Sequence, residues 1–302
     1  MSDQARPESP AAGEDVSIDA APRAAARLFI LPAIVTGVIA SILAVYFLFG
    51  ALTRDTRSAE SYLVEVRSGQ GNRRWQAAYE LSRLLEAGEA RLQADTASRA
   101  LAAFCEAGSS SDDPRVRRYL TLALGRLRDR AAVPELAKVL TDPDAETRIY
   151  SALALGEIGD RSAAAALGAA LSDEDRGVRK SAAYALGLLA DPASCGPLRE
   201  ALHDREIDVT WNSAVALARI GDPTGAEVLR SMADREFVER ASQTRDPAAR
   251  SVVLITAVQA LVLIDDRASV PALRKLADAD PDVRVREAAI EGLRRLAGPV
   301  KS

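Results

Sequence analysis

The sequence predicts an all-α fold: a right-handed α-solenoid of about seven helix pairs, preceded by one transmembrane helix. Three observations predict it. Alanine and leucine supply most of the apolar content, and aromatic residues make up only 4% of the chain, a composition that favours helices over strands. An uncharged segment of 25 residues lies near the N-terminus. A leucine-centred pattern then recurs with a period near 31 residues, which indicates a repeat architecture.

The N-terminal region divides into three parts. Residues 1–27 are rich in Ala, Pro, Ser and acidic residues without an apolar period, so we expect a disordered tail. Residues 28–52 are uncharged and exceed the about 20 apolar residues that a membrane-spanning helix needs. They are too long for the apolar core of a signal peptide and end in a poor cleavage site. Residues 53–57 then form a short linker.

The arginines around this span favour one orientation. The positive-inside rule places the side with more arginines in the cytoplasm, so we expect a single-pass protein of a bacterial inner membrane with a cytoplasmic repeat domain. An exported repeat domain is the alternative. The arginines nearest the span are Arg23 and Arg27 before it, and Arg54, Arg57, Arg67, Arg73 and Arg74 after it.

The repeat is clearest in a column of leucines. The position three residues after each leucine is always Leu or Ile, and the position eight before it is mostly Val. These positions share one face of a helix. Shorter apolar stretches between them predict a first helix for each pair, so residues 58–298 form a solenoid of stacked helix pairs, followed by a tail at 299–302. The column consists of Leu81, Leu124, Leu155, Leu186, Leu217, Leu261 and Leu293.

Two segments carry a resemblance to a known family. The stretches DPDAETRIYSALALGEIGDRSAAAAL (142–167) and DPDVRVREAAIEGLRRL (280–296) resemble HEAT repeats of the phycobilin-lyase-like subclass. The resemblance implies that the second helix of each pair lines the concave face. It also implies a structural ladder in which an arginine of one repeat pairs with an aspartate of its neighbour.

The ladder positions are occupied in part. The aspartates precede the arginines by six residues, and we expect these charges to tie the repeats together rather than to bind a substrate. Thr210 and Leu254 interrupt the arginine column on either side of a 44-residue spacing. The arginine column reads Arg74, Arg117, Arg148, Arg179, Thr210, Leu254 and Arg286, and the aspartates are Asp142, Asp173, Asp204 and Asp280.

The sequence offers little material for catalysis. His203 is the only histidine, so neither a histidine metal site nor a repeated His-Glu centre can form. Cys105 and Cys195 lie far apart at apolar positions and are expected to behave as small buried apolar residues. We therefore expect no catalytic residue, no metal and no cofactor, and interpret the chain as a non-enzyme.

Three classes of function remain. The first is a membrane-anchored protein-interaction scaffold or adaptor, whose partners are one or more proteins, a membrane complex among the candidates. The second is a bilin lyase or chromophore chaperone, which only the repeat subclass implies. The third is a nucleic-acid-binding solenoid, which the net charge of −4 argues against because there is no general basic field. No small-molecule substrate is evident.

One candidate binding surface lies at the position six residues before the column leucine. Both tryptophans occur there, and on a helical wheel it points away from the packed face. We predict a partner site formed by Trp211, Tyr184 and Lys180, with an insertion within 232–246 as its rim, because Trp, Tyr and Arg dominate binding energies. The alternative is that Trp211 packs beneath the insertion.

A second candidate surface begins the first long helix after the anchor. Arg73 and Trp75 open this helix about 20 residues beyond the span. They suit contact with lipid headgroups or with a membrane partner. The alternative is an ordinary helix start.

Overall fold

The computed structural model describes residues 35–48, 58–87, 95–109, 113–242 and 246–298. The chain divides into two compact units, Met1–Thr56 and Arg57–Ser302. The predicted tails at 1–27 and 299–302 and the predicted linker at 53–57 lie outside the described residues.

The first unit contributes one described helix, α1, over residues 35–48. Every side chain in this range is exposed, including Ile42 at 62% and Phe47 at 70%. Within the described residues, no helix is both long enough and apolar enough to cross a bilayer. The two ends of the predicted span, 28–34 and 49–52, lie outside the described residues.

The second unit is helical throughout its described residues, with no strand. The first helices of the successive pairs are α2 (Ala59–Ser68), α4 (Thr96–Ser109), α6 (Val133–Val139), α8 (Ala164–Ala170), α10 (Cys195–Ala201), α12 (Ala226–Met232) and α15 (Val270–Ala279). The second helices are α3 (Asn72–Glu86), α5 (Pro114–Leu127), α7 (Ala145–Ile158), α9 (Arg176–Leu189), α11 (Ile207–Ile220), α14 (Pro247–Leu263) and α16 (Val283–Leu296). One additional helix, α13 (Arg235–Ala241), lies between α12 and α14.

The described residues contain seven helix pairs, which confirms the predicted repeat and its register. We number them repeats 1 to 7 in chain order. The column leucine of repeats 1 to 6 is completely buried. Leu293 of repeat 7 is only half-buried, because the described chain adds no eighth repeat to cover it.

Aspartates set the ends of many of these helices. The side chains of Asp144 and Asp175 accept backbone N–H groups at the starts of α7 and α9. Asp129, Asp160 and Asp191 do the same for the short 3-10 turns that open the first helices of repeats 3 to 5. Such caps satisfy donors that a helix start would otherwise leave unpaired. The Asp-rich turns therefore fix where each helix begins.

Glycine allows consecutive second helices to approach closely. A Cβ atom added at Gly125 would lie 2.8 Å from the Cα atom of Ala154, and one added at Gly156 or Gly187 would lie 3.0 Å from the next repeat's alanine. These glycines follow the column leucine directly. The second helices of repeats 1 to 5 pack side by side, whereas neighbouring first helices touch much less. We infer that the second helices form the inner, shorter side of the array.

The buried core of this unit falls into two clusters. One runs from α2 to α11 and ends at Leu217. The other begins at Trp211 and includes α12, α13, α14, α15 and α16. Both clusters meet within α11, where Ala218 occupies the position that glycine takes in repeats 2 to 4. The regular array therefore ends at repeat 5.

Candidate protein-interaction surface

A row of tyrosines crosses the inner side of repeats 1 to 4. Each of these four repeats places one tyrosine on its second helix, two or five residues before the column leucine. The two at the ends are 41% and 42% exposed, and the two in the middle are half-buried. Repeats 5 to 7 have no tyrosine. We call these residues the tyrosine row: Tyr79, Tyr119, Tyr150 and Tyr184.

The hydroxyl groups of this row are available for hydrogen bonding. Among the described residues, none of the four makes a hydrogen bond to another protein group. Burial, together with the carboxylate of Glu146, raises the pKa of Tyr150. Its hydroxyl therefore stays protonated at neutral pH and can both donate and accept a hydrogen bond.

An aromatic cluster occupies the N-terminal end of the row. The ring of Tyr119 lies 5.1 Å from that of Tyr79 and 6.3 Å from that of Trp75. The guanidinium of Arg115 sits 4.5 Å above the Trp75 ring, a cation–π geometry. The Trp75 Nε1–H group donates to the Asn72 Oδ1 atom at 3.2 Å. Three aromatic rings and one guanidinium thus form a continuous half-exposed platform.

The other end of the row has a different composition. The Arg219 guanidinium of repeat 5 lies 5.9 Å from the Tyr184 ring. Leu188 is 39% exposed one turn further along α9. The Lys180 side chain is half-exposed and its Nζ atom lies 3.7 Å from Asp208. Tyr184 and Lys180, both predicted as site residues, are therefore accessible on the same helix.

The helices that carry the row are basic. Together α3, α5, α7 and α9 contain eleven arginines and lysines but only four acids. Most compensating acids belong to the turns before the helices. For example, the Arg118 Nη2 atom lies 2.6 Å from Asp144, and its Nη1 atom pairs with Glu146. Ion pairs of this kind offset most of the basic charge on these helices.

The predicted ladder of charges is present and structural. Arg117, Arg148 and Arg179 each pair with the ladder aspartate of the next repeat, at 3.2, 2.8 and 2.7 Å. Arg148 and Arg179 also donate to the backbone carbonyl of their own repeat's aspartate. The hydrogen bonds that Arg179 donates to the Asp204 carboxylate raise the pKa of Arg179. These partners are buried at the repeat junctions, so the ladder ties neighbours together.

Comparison with known protein families identifies the type of repeat. The family model of HEAT repeats matches residues 101–187, 164–245 and 238–301, which together cover more than half of the chain.

The chain belongs to the HEAT-repeat family.

Solved structures agree on the fold. A chain of the CpcE–CpcF complex of the phycocyanin lyase from Nostoc sp. PCC7120 matches with 21% identity and a TM-score of 0.56, over 80% of this chain and 88% of that one. The Escherichia coli protein YibA matches with 15% identity and a TM-score of 0.51, over 83% and 97%. No curated protein sequence matches significantly. At such identities the likeness establishes the HEAT-like fold alone.

The position of Trp211 corrects the sequence analysis. Its side chain is only 5% exposed and belongs to the second core cluster with Leu229 and Leu254. The helical wheel assumed one packed face, but a second helix in a HEAT solenoid is packed by its own first helix and by both neighbouring repeats. The position six before the leucine lies on one of these flanks. Trp211 is a core residue and offers no surface to a partner.

The insertion also differs from expectation. Its helix α13 sends Arg235 to Asp280 of repeat 7, with the Nε atom 2.6 Å from Oδ2. Glu236 of α13 pairs with Lys275 on α15, the first helix of repeat 7. Arg235 also donates to the Ser251 hydroxyl of α14, so the described contacts of α13 lie within repeats 6 and 7, and none of them reaches Tyr184 of repeat 4. The expectation that 232–246 forms a rim beside Tyr184 is therefore wrong for its helical part, and residues 243–245 lie outside the described residues.

Arg73 and Trp75 lie side by side at the start of α3, and only one of them joins the platform. Trp75 is half-buried and takes part in the aromatic cluster. Arg73 is exposed, and its side chain forms no ion pair with a described residue. Three further residues of this surface lie outside the two predicted columns: Tyr119 and Tyr150 are five residues before the column leucine, and Arg115 is nine before it. The pattern of one tyrosine per second helix in repeats 1 to 4 is visible only when the columns two and five residues before the leucine are considered together.

The groups that could support chemistry lie elsewhere and are not activated. Cys105 is exposed, contrary to expectation, and Cys195 is half-buried. Burial raises the pKa of both thiols, which disfavours the reactive thiolate. His203 is exposed in a turn. No group of three or more potential ligands within the described ranges is placed to hold a metal ion.

Proposed function

We propose that this HEAT-repeat protein is a membrane-attached interaction scaffold, whose partner binds the inner side of repeats 1 to 4. The observation that carries the proposal is the tyrosine row with its unpaired hydroxyls. Tyrosine supplies a large contact area at low cost in conformational entropy, and Trp, Tyr and Arg are the residues most often found at binding hot spots. Trp75, Tyr184, Lys180 and Arg73 belong to this surface, and Trp211 does not.

A photo-crosslinking experiment tests the location of this surface. A photoreactive phenylalanine analogue replaces Tyr79 or Tyr184 in the full chain in cells, and replaces the exposed Cys105 on a first helix as the control. We expect the same partner adduct from both inner positions and none from Cys105. Adducts from position 105 alone, or equal adducts from all three positions, would show that the inner side is not the binding surface.

Residues 28–52 are proposed to attach the scaffold to a membrane. Their 25 uncharged residues support this, as do the large apolar side chains that α1 exposes along its whole described length. We expect the protein to stay in the membrane pellet after carbonate washing, because burial of such a segment is effectively irreversible. The double substitution Val38→Arg and Ile42→Arg should release it. Wild-type protein in the supernatant would contradict the anchor.

The arginine distribution further supports a repeat domain on the cytoplasmic side of a bacterial inner membrane. Protease added to spheroplasts tests this directly. We expect the repeats to be protected until the membrane is opened by detergent. Digestion in intact spheroplasts would place the repeats on the outer side while leaving the anchor itself intact.

A further inference from the structure

The side of α16 that faces away from repeat 6 is exposed where earlier repeats are covered. The residue three before the column leucine is at most 1% exposed in repeats 1 to 6 but 39% exposed in repeat 7. In repeat 6 this residue touches the next repeat, because a Cβ atom added at Gly292 of α16 would lie 3.0 Å from the Cγ1 atom of Val258. In repeat 7 it is a large apolar residue, Ile290. The residues at this position are Ala78, Thr121, Ala152, Ala183, Ala214, Val258 and Ile290.

Arg286 is a ladder arginine without an aspartate partner. Its Nη1 atom donates to the backbone carbonyls of Asp280 and Pro281 at 2.7 and 3.3 Å. Arg148 and Arg179 make the equivalent two backbone contacts, and each also donates to the aspartate carboxylate of the next repeat. Arg286 has no carboxylate partner among the described residues. Its guanidinium is therefore held as in the internal repeats, with N–H groups available to a carboxylate from outside.

These two residues belong to one stripe of α16. At 100° per residue, Val283, Arg286, Glu287, Ile290 and Arg294 fall within about a quarter of the helix circumference, and they extend over about 16 Å, or three helical turns. Val283 is 52% exposed. We call these five residues the terminal face. Its spacing fits a covering helix, because the second helices of successive repeats pack side by side.

The charges of the terminal face favour an acidic partner. It carries Arg286 and Arg294 against one acid, Glu287. Glu291, beside the face, lies 3.7 Å from Arg294 and accepts a closer hydrogen bond from Arg295 at 3.0 Å. A carboxylate brought by a partner could bind the Arg286 guanidinium through two parallel hydrogen bonds, which are among the stronger polar contacts in proteins.

A second copy of this chain fits the terminal face poorly. Its first repeat has Ser68 at the ladder position, six residues before Arg74, and so brings no ladder carboxylate. Two terminal faces packed against each other would together bring four arginines and two glutamates, and like charges placed together at an interface oppose association. The partner that the face suits is therefore a different protein.

We propose that the terminal face binds a helix of a different protein, preceded by a turn whose Asp or Glu carboxylate accepts hydrogen bonds from Arg286. The partner's apolar side covers Ile290 and Val283, as each repeat covers the one before it. This surface is separate from the tyrosine row, so the inference goes beyond the proposed function.

Selection of two-helix hairpins, displayed on phage with a randomised turn and one randomised face, tests the proposal. The target is the full-length protein in detergent micelles, and hairpins that also bind the Ile290→Glu variant are discarded. We expect the remaining hairpins to be enriched in Asp or Glu in the turn. A turn without acidic enrichment, or no hairpin that distinguishes the wild-type protein from Ile290→Glu, would overturn the proposal.

Variants measure the contacts of one selected hairpin by fluorescence anisotropy. Arg286→Ala should weaken binding about ten-fold or more, because it removes charge-assisted hydrogen bonds. Val283→Glu should also weaken it, and this exposed position keeps the test independent of any folding defect in the Arg286 variant. The matched controls are Arg274→Ala, exposed on α15, and Val252→Glu, exposed on α14. Equal losses in the controls would overturn the assignment to the terminal face.

A charge exchange tests the Arg286 contact itself. Arg286→Asp should abolish binding of the selected hairpin, and replacing the hairpin's turn acid by Arg should restore it. Failure of this exchange in a folded variant would contradict the contact. Sedimentation of the full-length protein alone provides the last test, since a dimer that Ile290→Glu dissociates would show that a second copy occupies the face. The crosslinks at Tyr79 and Tyr184 test the proposed function separately from all of these results.

Discussion

Repeats 2 to 5 and repeats 6 to 7 stack against their neighbours through different helices and side chains. The first group has 14-residue second helices, and repeats 2 to 4 also have the ladder arginine and a glycine after each column leucine. Repeat 6 has a 17-residue second helix, α14, with Leu254 at the arginine position and the additional helix α13 before it. Asp280 of repeat 7 is nevertheless paired, because Arg235 of α13 reaches it.

This difference shows that the ladder aspartate of repeat 7 keeps an arginine partner, although that arginine does not come from the ladder position of repeat 6. Asp280 has a completely buried side chain, and a buried carboxylate needs a partner. Arg235 provides the partner from a helix that the regular repeats do not possess. The insertion is therefore a structural element that continues the solenoid past an interruption.

Removal of the Arg235 side chain is expected to lower the free energy of unfolding more than the other substitutions considered below. Arg235→Ala leaves Asp280 buried without its cation, which typically costs about 3–5 kcal/mol. The free energy of unfolding, from urea titration followed by circular dichroism, measures the effect. Arg240→Ala, on the same helix but exposed, is the matched control and should be nearly neutral. Similar losses for both variants would mean that α13 does not act through this ion pair.

The column leucines should respond differently in the two regions. Leu186→Ala in repeat 4 removes a completely buried side chain and should cost about 2–5 kcal/mol. Leu293→Ala in repeat 7 changes a half-buried position and should cost clearly less. The same urea titrations decide this. An equal cost at the two positions would contradict the burial difference between an internal and a terminal repeat.

The close approach of neighbouring second helices at glycine can be tested by adding one methyl group at Gly187. Gly187→Ala places a Cβ atom 3.0 Å from Ala216, and we expect a loss of about 1–3 kcal/mol from overpacking. In the control, Gly168→Ala, the nearest contact is an ordinary 3.5 Å to Pro197, so this change should stabilise the helix by about 0.5–1 kcal/mol. A neutral Gly187→Ala would show that the second helices can separate without cost.

The smallest expected effect concerns a helix end in the regular region. Ala190 ends α9 with a positive φ of 47°, where repeats 3 and 5 have glycine. A left-handed conformation costs a non-glycine residue about 1–2 kcal/mol. Ala190→Gly should therefore raise the free energy of unfolding by up to about 1 kcal/mol, measurable as a higher melting temperature. A lower melting temperature would contradict this account of the turn.

The fold was largely predictable because its signals are local and repeated. The leucine column, the seven pairs and the paired charges of Arg117, Arg148 and Arg179 follow from spacing in the sequence. The partner of Asp280 did not follow, because Arg235 lies 45 residues earlier in a helix outside the repeat. The burial of Trp211 was not predicted because a helical wheel describes a single helix. The contacts on the sides of α11 depend on the neighbouring repeats, which the wheel does not include.

The candidate surface was predictable only in part. Tyr184, Lys180 and Trp75 were identified from their columns. Tyr119 and Tyr150 were missed because they lie five residues before the leucine rather than two. They join the row in space because the two columns are adjacent on the helix surface. Arg115 was missed because its role is to stack on a ring of another repeat.

The central claim is that Tyr184 belongs to the binding surface and Trp211 to the core. The most direct measurement is partner binding and melting temperature of Tyr184→Ala and Trp211→Ala in the full chain. We predict that Tyr184→Ala keeps its melting temperature and loses binding, whereas Trp211→Ala loses about 3–5 kcal/mol of stability as a buried large-to-small change. A Tyr184→Ala variant that binds its partner normally, or a Trp211→Ala variant that melts normally and fails to bind, would contradict the account.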